Sequence, residues 1–467
     1  MRRAKIVCTI GPACRDPAVL QRMVAAGMDV ARLNMSHGTH ETHARALADV
    51  REAARREGRS LAVLLDLSGP KIRLGVLPEP VLLHAGDEIR LAPGAGPGAA
   101  GVLPVNYPEL ARELAPGDRI SLADGMIPLE VVAVEGEAVR VRVLSGGTVT
   151  SHKGLNLPGK GDALPSLTGK DREDLRFGLR QGVDWVALSF VRSPRDIEPV
   201  RRVMEEEGVR VPVLAKIEKR QALERIDAIV EAFDGIMVAR GDLGVEIPIE
   251  DVPGAQKDLI RRAVRRARPV ITATQMLLSM VRSPRPTRAE TTDVANAILD
   301  GTDAVMLSEE TAMGEYPVET VATMARIAER AQQMAVPMPE RCDDLEVGGV
   351  PGAIARATWR LAKAVGARVI VTPTKSGSTA RLVAATRPDV PILALSSDPG
   401  VVAALCLTWG VISRPLTPAD STEALFEACR HEARRLGLAS PGQRIVVTAG
   451  LPLETPGTTN LVKVLEA

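Results

Sequence analysis

Val213-Leu-Ala-Lys216-Ile-Glu218 is followed, after a short helical segment, by Gly235-Ile-Met-Val-Ala-Arg240-Gly241-Asp242-Leu243-Gly244. Two short apolar runs each end in charge: a lysine and a glutamate in the first, an arginine and an aspartate between glycines in the second. Residues i and i+2 of a strand point to the same side, so Lys216 and Glu218 project together from one strand end. That places cations and two carboxylates at the lip of a parallel sheet. Scattered Lys and Glu ordinarily read as surface ion pairs. Runs this apolar belong to buried strands, however, and charge at a buried strand end needs a reason.

The same rhythm extends in both directions. Strands are expected at 5–10, 30–35, 61–67, 185–191, 213–218, 235–240, 269–274 and 304–308, with apolar residues at helical spacing between them, as in Ala18-Val-Leu-Gln-Arg-Met-Val-Ala-Ala. Eight strands with intervening helices predict a (β/α)8 barrel, whose active site lies at the C-terminal strand ends. The opening charges fall at those ends. The rhythm breaks once, between the third and fourth strands, where residues 71–165 carry turn signals and short alternating segments such as Ala138-Val-Arg-Val-Arg-Val. This predicts a small inserted β-barrel domain over the barrel mouth, a lid that keeps water from the chemistry. Residues 1–70 and 166–338 then form the two parts of the barrel. A Pro-, Gly- and acid-rich linker leads into a C-terminal doubly wound α/β domain, 339–467, with strands near 368–371, 391–395, 410–413 and 444–448.

The composition excludes several classes of function. At 467 residues the chain suits two to four domains, and 45% apolar with 25% charged residues is an ordinary globular profile, whereas aromatics are scarce at 2%. A net charge of +1 argues against a nucleic-acid or membrane-surface role. The densest basic run, Arg262 to Arg268, reads as a solvated or subunit-contacting helix face. Five cysteines without regular spacing suggest reduced thiols in a cytoplasmic protein, and neither a membrane span nor a signal peptide is expected.

Glu218 and Asp242 are oxygen ligands of the kind Mg2+ prefers, and two carboxylates leave room for water and substrate oxygens. Lys216 beside them is a fixed positive charge where phosphoryl transfer would build up negative charge. Gly241 allows a ligand close to the backbone where the strand turns into a helix. Arg32, Asn34 and Ser36 alternate along the second strand and share a face, offering a guanidinium for phosphate and two polar oxygens. Thr274 ends the seventh strand, where its hydroxyl either faces the mouth or caps a helix. His37 has no sequence partner that would make it a base. Thr287-Arg-Ala-Glu290 is a capping box. In the C-terminal domain, Thr374-Lys375-Ser376-Gly377-Ser378-Thr379 lies between a strand and a helix, as either a phosphate cradle or an ordinary cap.

Lys5-Ile-Val-Cys-Thr-Ile-Gly-Pro12, Ala31-Arg-Leu-Asn-Met-Ser-His-Gly38, Lys216-Ile-Glu218, Gly235 to Gly244, Ala273-Thr-Gln-Met276, Pro284 to Glu290, Asp293-Val-Ala-Asn296 and Met306 to Thr311 together resemble pyruvate kinase. The resemblance runs in order along essentially the whole chain. It implies transfer of a phosphoryl group from phosphoenolpyruvate to ADP, giving ATP and pyruvate, by a homotetramer with a mobile lid and a regulatory C-terminal domain. By resemblance Lys216 stabilises the moving phosphoryl and the enolate, and Glu218 and Asp242 bind Mg2+, with Mn2+ as a substitute. Gly241, Asp242 and Thr274 hold the substrate carboxylate, Thr274 also lies on the proton route, and Arg32 pairs with phosphate. Asn34, His37, Arg73 and Lys153 map to nucleotide-contacting positions, and Asp124 to a lid carboxylate near the nucleotide-bound metal.

Two departures from the family pattern matter. Members that need K+ bind it at positions matching Asn34, Ser36, Asp66 and Leu67, with threonine usual at the last and a glutamate where Lys71 stands here. Asp66-Leu-Ser-Gly-Pro-Lys71-Ile-Arg73 resembles the K+-independent branch, in which a lysine ammonium supplies the charge of the ion, so K+ is not expected to be required. Around Ala449 to Asn460 the chain lacks the tryptophan and arginine that hold the second phosphate of fructose 1,6-bisphosphate, and Glu454 would repel one. A monophosphate effector, AMP or a sugar monophosphate, is expected at the 374–379 loop. Two rivals stand beside this reading. Another Mg2+-dependent barrel enzyme of phosphoenolpyruvate or pyruvate leaves the lid and the C-terminal domain unexplained, and a silent metabolite sensor would have lost a catalytic residue.

Overall fold

The computed structural model of the chain describes residues 1–94, 101–123, 125–161, 163–334, 344–418, 420–450 and 458–467. Three strands open it, β1 (Lys5–Thr9), β2 (Val30–Asn34) and β3 (Ala62–Asp66). An excursion carries β4 (Val81–Leu83), β5 (Glu88–Pro93), β6 (Val102–Val105), β7 (Arg119–Leu122), β8 (Ile127–Glu135), β9 (Ala138–Val143), β10 (Gly147–Val149) and β11 (Leu155–Asn156). The first rhythm then resumes in β12 (Trp185–Leu188), β13 (Val213–Ile217), β14 (Gly235–Ala239), β15 (Val270–Ala273) and β16 (Ala304–Leu307). The strands of this rhythm are buried along nearly their whole length because helices cover the outside and side chains fill the inside. They close as β1-β16-β15-β14-β13-β12-β3-β2, all parallel.

Closure fixes the depth of every strand end. Asn34 stands beside Asp66, Leu188 beside Ala215, and Lys216 beside Met237. Strand β14 approaches β15 so closely that a Cβ on Gly235 would lie 2.6 Å from the Pro269 carbonyl oxygen. The helix Arg288–Asp300 starts with the expected capping box, in which Thr287 and Glu290 each bond the other's backbone.

The excursion forms a six-stranded sheet, β11-β7-β8-β9-β5-β6, and a two-stranded one, β10-β4, around its own apolar cluster of Leu91, Val105, Leu122, Leu129, Val139 and Val141. After the barrel come β17 (Ile370–Pro373), β18 (Ile392–Ser396), β19 (Val411–Pro415), β20 (Arg444–Gly450) and β21 (Thr459–Glu466), in the order β19-β18-β17-β20-β21. Strand β21 runs antiparallel to β20 and was not foreseen, because Asn460-Leu-Val-Lys-Val-Leu alternates only partly. The basic run ending at Arg268 is neutralised inside the chain: Arg262 and Arg266 reach Asp227, and Arg265 and Arg266 reach Glu346 at 3.0 Å. Cys8, Cys14, Cys406 and Cys429 are buried free thiols. Among the described residues no helix is long and apolar enough to cross a membrane.

Candidate active site at the barrel mouth

Lys216, near the end of β13, is largely shielded, its side chain 13% exposed, and it sits among oxygen atoms. Its ammonium lies 3.2 Å from Asp66 Oδ1, 3.0 Å from Glu218 Oε1 and 2.8 Å from Ser189 Oγ, to which it donates. Asp66, at the end of β3, accepts from Arg32 Nε at 2.6 Å, and Arg32 Nη1 donates to Thr9 Oγ1 at 2.9 Å. Four strand ends are thereby joined by one charged chain, Thr9–Arg32–Asp66–Lys216–Glu218, which the backbone N–H of Phe190 closes by donating to Glu218 Oε2 at 2.7 Å. Burial alone would lower the Lys216 ammonium, but Asp66 and Glu218 outweigh it and hold the pKa above the usual lysine range. Burial would likewise raise Asp66, and Lys216 and Arg32 reverse this to a lowered value. Glu218 goes the other way. Burial raises it, the neighbouring Asp242 adds to the effect, and Lys216 offsets only part.

That asymmetry bears on a metal. Glu218 and Asp242 line one cleft with Phe190 from the barrel, Lys71 from the entrance to the excursion, and Asn156 and Lys160 from its later part. Among the described residues no cluster of three or more His, Cys, Asp or Glu gathers, so the protein offers two carboxylates rather than a closed cage. A hard divalent cation that keeps water and substrate oxygens in its shell fits such a donor pair, and its charge would offset the burial and the Asp242 repulsion that raise Glu218.

Strain marks the same rim. Thr274 and Gln275, just beyond β15, have φ of +78° and +55°, and Phe190 has +54°. A β-branched residue in the left-handed region is an outlier that only its surroundings can hold. Arg240 does the holding: its Nη2 donates to the Thr274 carbonyl at 2.7 Å, its Nε to the Ala273 carbonyl at 3.1 Å, and its Nη1 to Asp293 Oδ1 at 2.6 Å. Arg240 therefore turns away from the mouth and fastens the strand carrying Asp242 to the loop carrying Thr274. Gly241 completes the contact, since a Cβ there would come within 2.8 Å of Thr274 Cγ2.

The family model for the pyruvate kinase barrel domain matches residues 1–321, and that for the pyruvate kinase alpha/beta domain matches residues 352–465. The chain belongs to the pyruvate kinase family. A pyruvate kinase of Geobacillus stearothermophilus is 45% identical over 99% of this chain and 80% of its own length, and one of Mycobacterium tuberculosis is 44% identical over 99% and 98%. The solved structure of a pyruvate kinase from Cryptosporidium parvum superposes with a TM-score of 0.94 at 36% identity, over all of this chain and 96% of the other. A (β/α)8 barrel with a C-terminal α/β domain, the architecture of pyruvate kinases, is thus this chain's own, and it is a glycolytic phosphotransferase.

The remaining sequence candidates lie on the barrel, at the base of the excursion and in the C-terminal domain. Asn34 Oδ1 accepts from the Ser36 N–H at 3.2 Å, and the His37 N–H donates to the Asn34 carbonyl at 3.2 Å. The Leu67 side chain is buried, and its carbonyl accepts from Ser189 Oγ at 2.7 Å. Lys71 Nζ lies 3.9 Å from Asp242 Oδ1, on the Asp242 side of the mouth. Arg73 and Lys153 sit together at the base of the excursion, where Arg73 pairs with Gly154 and its Nη1 donates to the His152 carbonyl at 3.1 Å. Asp124 lies outside the described residues. In the C-terminal loop, Thr374 Oγ1 accepts from the Gly377 N–H at 3.0 Å, Lys375 and Ser376 are exposed, and Ser378 opens the helix. The Thr379 hydroxyl turns inward to Thr459 Oγ1 at 2.6 Å.

Sequence reasoning missed Ser189, Phe190, Arg240 in its clamping role, and Glu246. Ser189 was findable as a hydroxyl at a barrel strand end. Glu246 bonds Lys219 and accepts from the Gly159 N–H at 3.1 Å, while Arg192 reaches the carbonyls of Gly161 and Leu164. These two side chains tie the returning end of the excursion to the barrel, and spacing gives no sign of them.

Proposed function

We propose that Lys216 acts on the phosphoryl group as it passes from phosphoenolpyruvate to ADP, and that it does so without a monovalent cation. The observation that carries this is the burial of a lysine kept charged by Asp66 and Glu218 at 3.2 and 3.0 Å. A fixed ammonium in a water-poor site stabilises charge spreading over phosphoryl oxygens and then over the enolate, with little reorganisation. Mg2+, or Mn2+ in its place, held by Glu218 and Asp242, supplies Lewis-acid charge to the substrate oxygens. Arg32 pairs with phosphate, Gly241, Asp242 and Thr274 hold the substrate carboxylate, and the Thr274 hydroxyl lies on the route of the proton to the enol carbon. Asn34, His37, Arg73 and Lys153 contact the nucleotide.

Lys71 stands for the cation that Asn34, Ser36, Asp66 and Leu67 would otherwise surround. Its ammonium 3.9 Å from Asp242 supports that reading. The 374–379 loop takes a phosphorylated effector with one phosphate, AMP or a sugar monophosphate, in a cytoplasmic homotetramer. A titration in which fructose 1,6-bisphosphate activates and AMP does not contradicts that effector choice. The cation reading is tested by pyruvate release from phosphoenolpyruvate, ADP and Mg2+ in sodium buffer. Full activity is expected without K+, and Lys71→Glu should lose most of it and recover part when K+ is added. Wild-type activity that collapses in sodium and returns with K+ overturns the reading.

A further inference from the structure

Below the barrel, where it meets the C-terminal domain, three guanidinium groups converge on a small cavity. Its walls include Arg268 and Pro269 ahead of β15, Asp303 ahead of β16, and Arg381, Arg387 and Thr408 from the C-terminal domain. It is narrow, with room between the walls for about one small ion or water.

The charges around it do not balance. Arg387 grips Asp303 in a fork, both bonds at 3.2 Å, and its Nη2 also donates to the Gly301 carbonyl at 2.7 Å. Asp303 is saturated, since it also accepts from the backbone N–H groups of Val270 and Trp409 at 3.1 Å. Arg268 has a distant partner in Asp234, at 3.8 Å. Arg381 has no carboxylate within ion-pair distance among the described residues, and its Nη2 donates only to the Ser376 carbonyl, at 3.1 Å. Burial lowers its guanidinium pKa, a like charge on Arg268 adds to this, and Asp234 opposes it. Two further groups on the cavity wall, Arg387 Nε and Thr408 Oγ1, are buried and have no hydrogen-bond partner among the described residues. Unmatched cationic charge and unmade donors at one partly buried place are both costly.

We propose that this cavity binds a small monovalent inorganic anion of halide size, held by Arg381, Arg268, Arg387 Nε and the Thr408 hydroxyl. A water could accept from the two unpartnered donors but would leave Arg381 without a counter-charge. No residue of the 374–379 loop lines the cavity, although Arg381 joins the two through its bond to the Ser376 carbonyl. The anion would join the two domains beneath β14 and β15, the strands that carry Asp242 and Thr274 at their other ends. The inference stands apart from the assignment of the catalytic residues.

Crystals soaked in sodium bromide test it. An anomalous peak is expected between Arg268, Arg381 and Thr408, and an empty cavity in crystals whose surface sites are labelled overturns the proposal. In solution, exchanging sodium gluconate for sodium chloride at constant ionic strength should raise the thermal midpoint saturably, by about 2 °C. Arg381→Met and the isosteric Thr408→Val should blunt that response. Equal responses in wild type and both variants mark a general salt effect and overturn the site. Should Arg381→Met fail to fold, Thr408→Val and the wild-type anomalous map still decide.

Discussion

Arg240 shows how much of the site rests on a residue that faces away from it. Its guanidinium holds the carbonyls of Ala273 and Thr274, and Asp293 holds the guanidinium. Arg240→Met leaves a strained Thr274 without its clamp, so kcat should fall about 100-fold, the cost of a misplacement on the order of 1 Å. A drop in kcat no larger than that of a surface substitution, measured by steady-state kinetics, would contradict the positioning role. Asp29 makes a second prediction. Arg2 and Arg59 reach it at 2.7 and 3.1 Å, and although burial would raise its carboxyl, those cations and Lys5 hold it below the ordinary aspartate value. A depressed folded pKa gives stability that is present above the unfolded value of about 3.9 and is lost as pH falls through the folded one. Asp29→Asn should cost about 3 kcal/mol at neutral pH. In chemical denaturation that deficit should shrink as the medium is acidified below about pH 4, and a pH-independent deficit would sink the idea.

At the scale of elements, β13 and β14 were legible because their apolar runs stop abruptly at charge, and the barrel followed from the same pattern in the other strands. Lys216, Glu218 and Asp242 were legible as a group because strand geometry and the barrel rule together place strand-end polar groups in one mouth. What joins them was not. Ser189 and Asp66 lie 27 and 150 residues from Lys216, yet both touch its ammonium, and only barrel closure brings them there. The strained Thr274 was equally hidden, because threonine at a strand end ordinarily signals β structure. Strand β21 escaped because its side chains alternate too weakly to be told from a loop. Gly235 tests the closure itself. Gly235→Ala would place a methyl 2.6 Å from the Pro269 carbonyl oxygen and 2.7 Å from Leu214 Cδ2. A loss of about 1–3 kcal/mol is expected on urea unfolding, and an unchanged midpoint would mean that β14 and β15 are less tightly joined than the register implies.

The whole molecule presents one mouth to the excursion and one floor to a second domain. Gly159, Gly161 and Leu164 are tied to the barrel by Glu246 and Arg192, so the returning end of the excursion is anchored to the segments that follow Asp242 and Phe190. On the far side, Glu346 binds Arg265 and Arg266, and Trp185 Nε1 donates to the Ala404 carbonyl at 3.0 Å, so the C-terminal domain seats directly under the barrel. At the mouth Lys216 is the cation that bridges Asp66 and Glu218, and its removal tests the account most directly. Lys216→Met should lower pyruvate formation from phosphoenolpyruvate, ADP and Mg2+ by about 1,000-fold or more while equilibrium binding of phosphoenolpyruvate stays within a few-fold of wild type. Turnover near the wild-type rate in that variant, with a folded protein, would contradict the account.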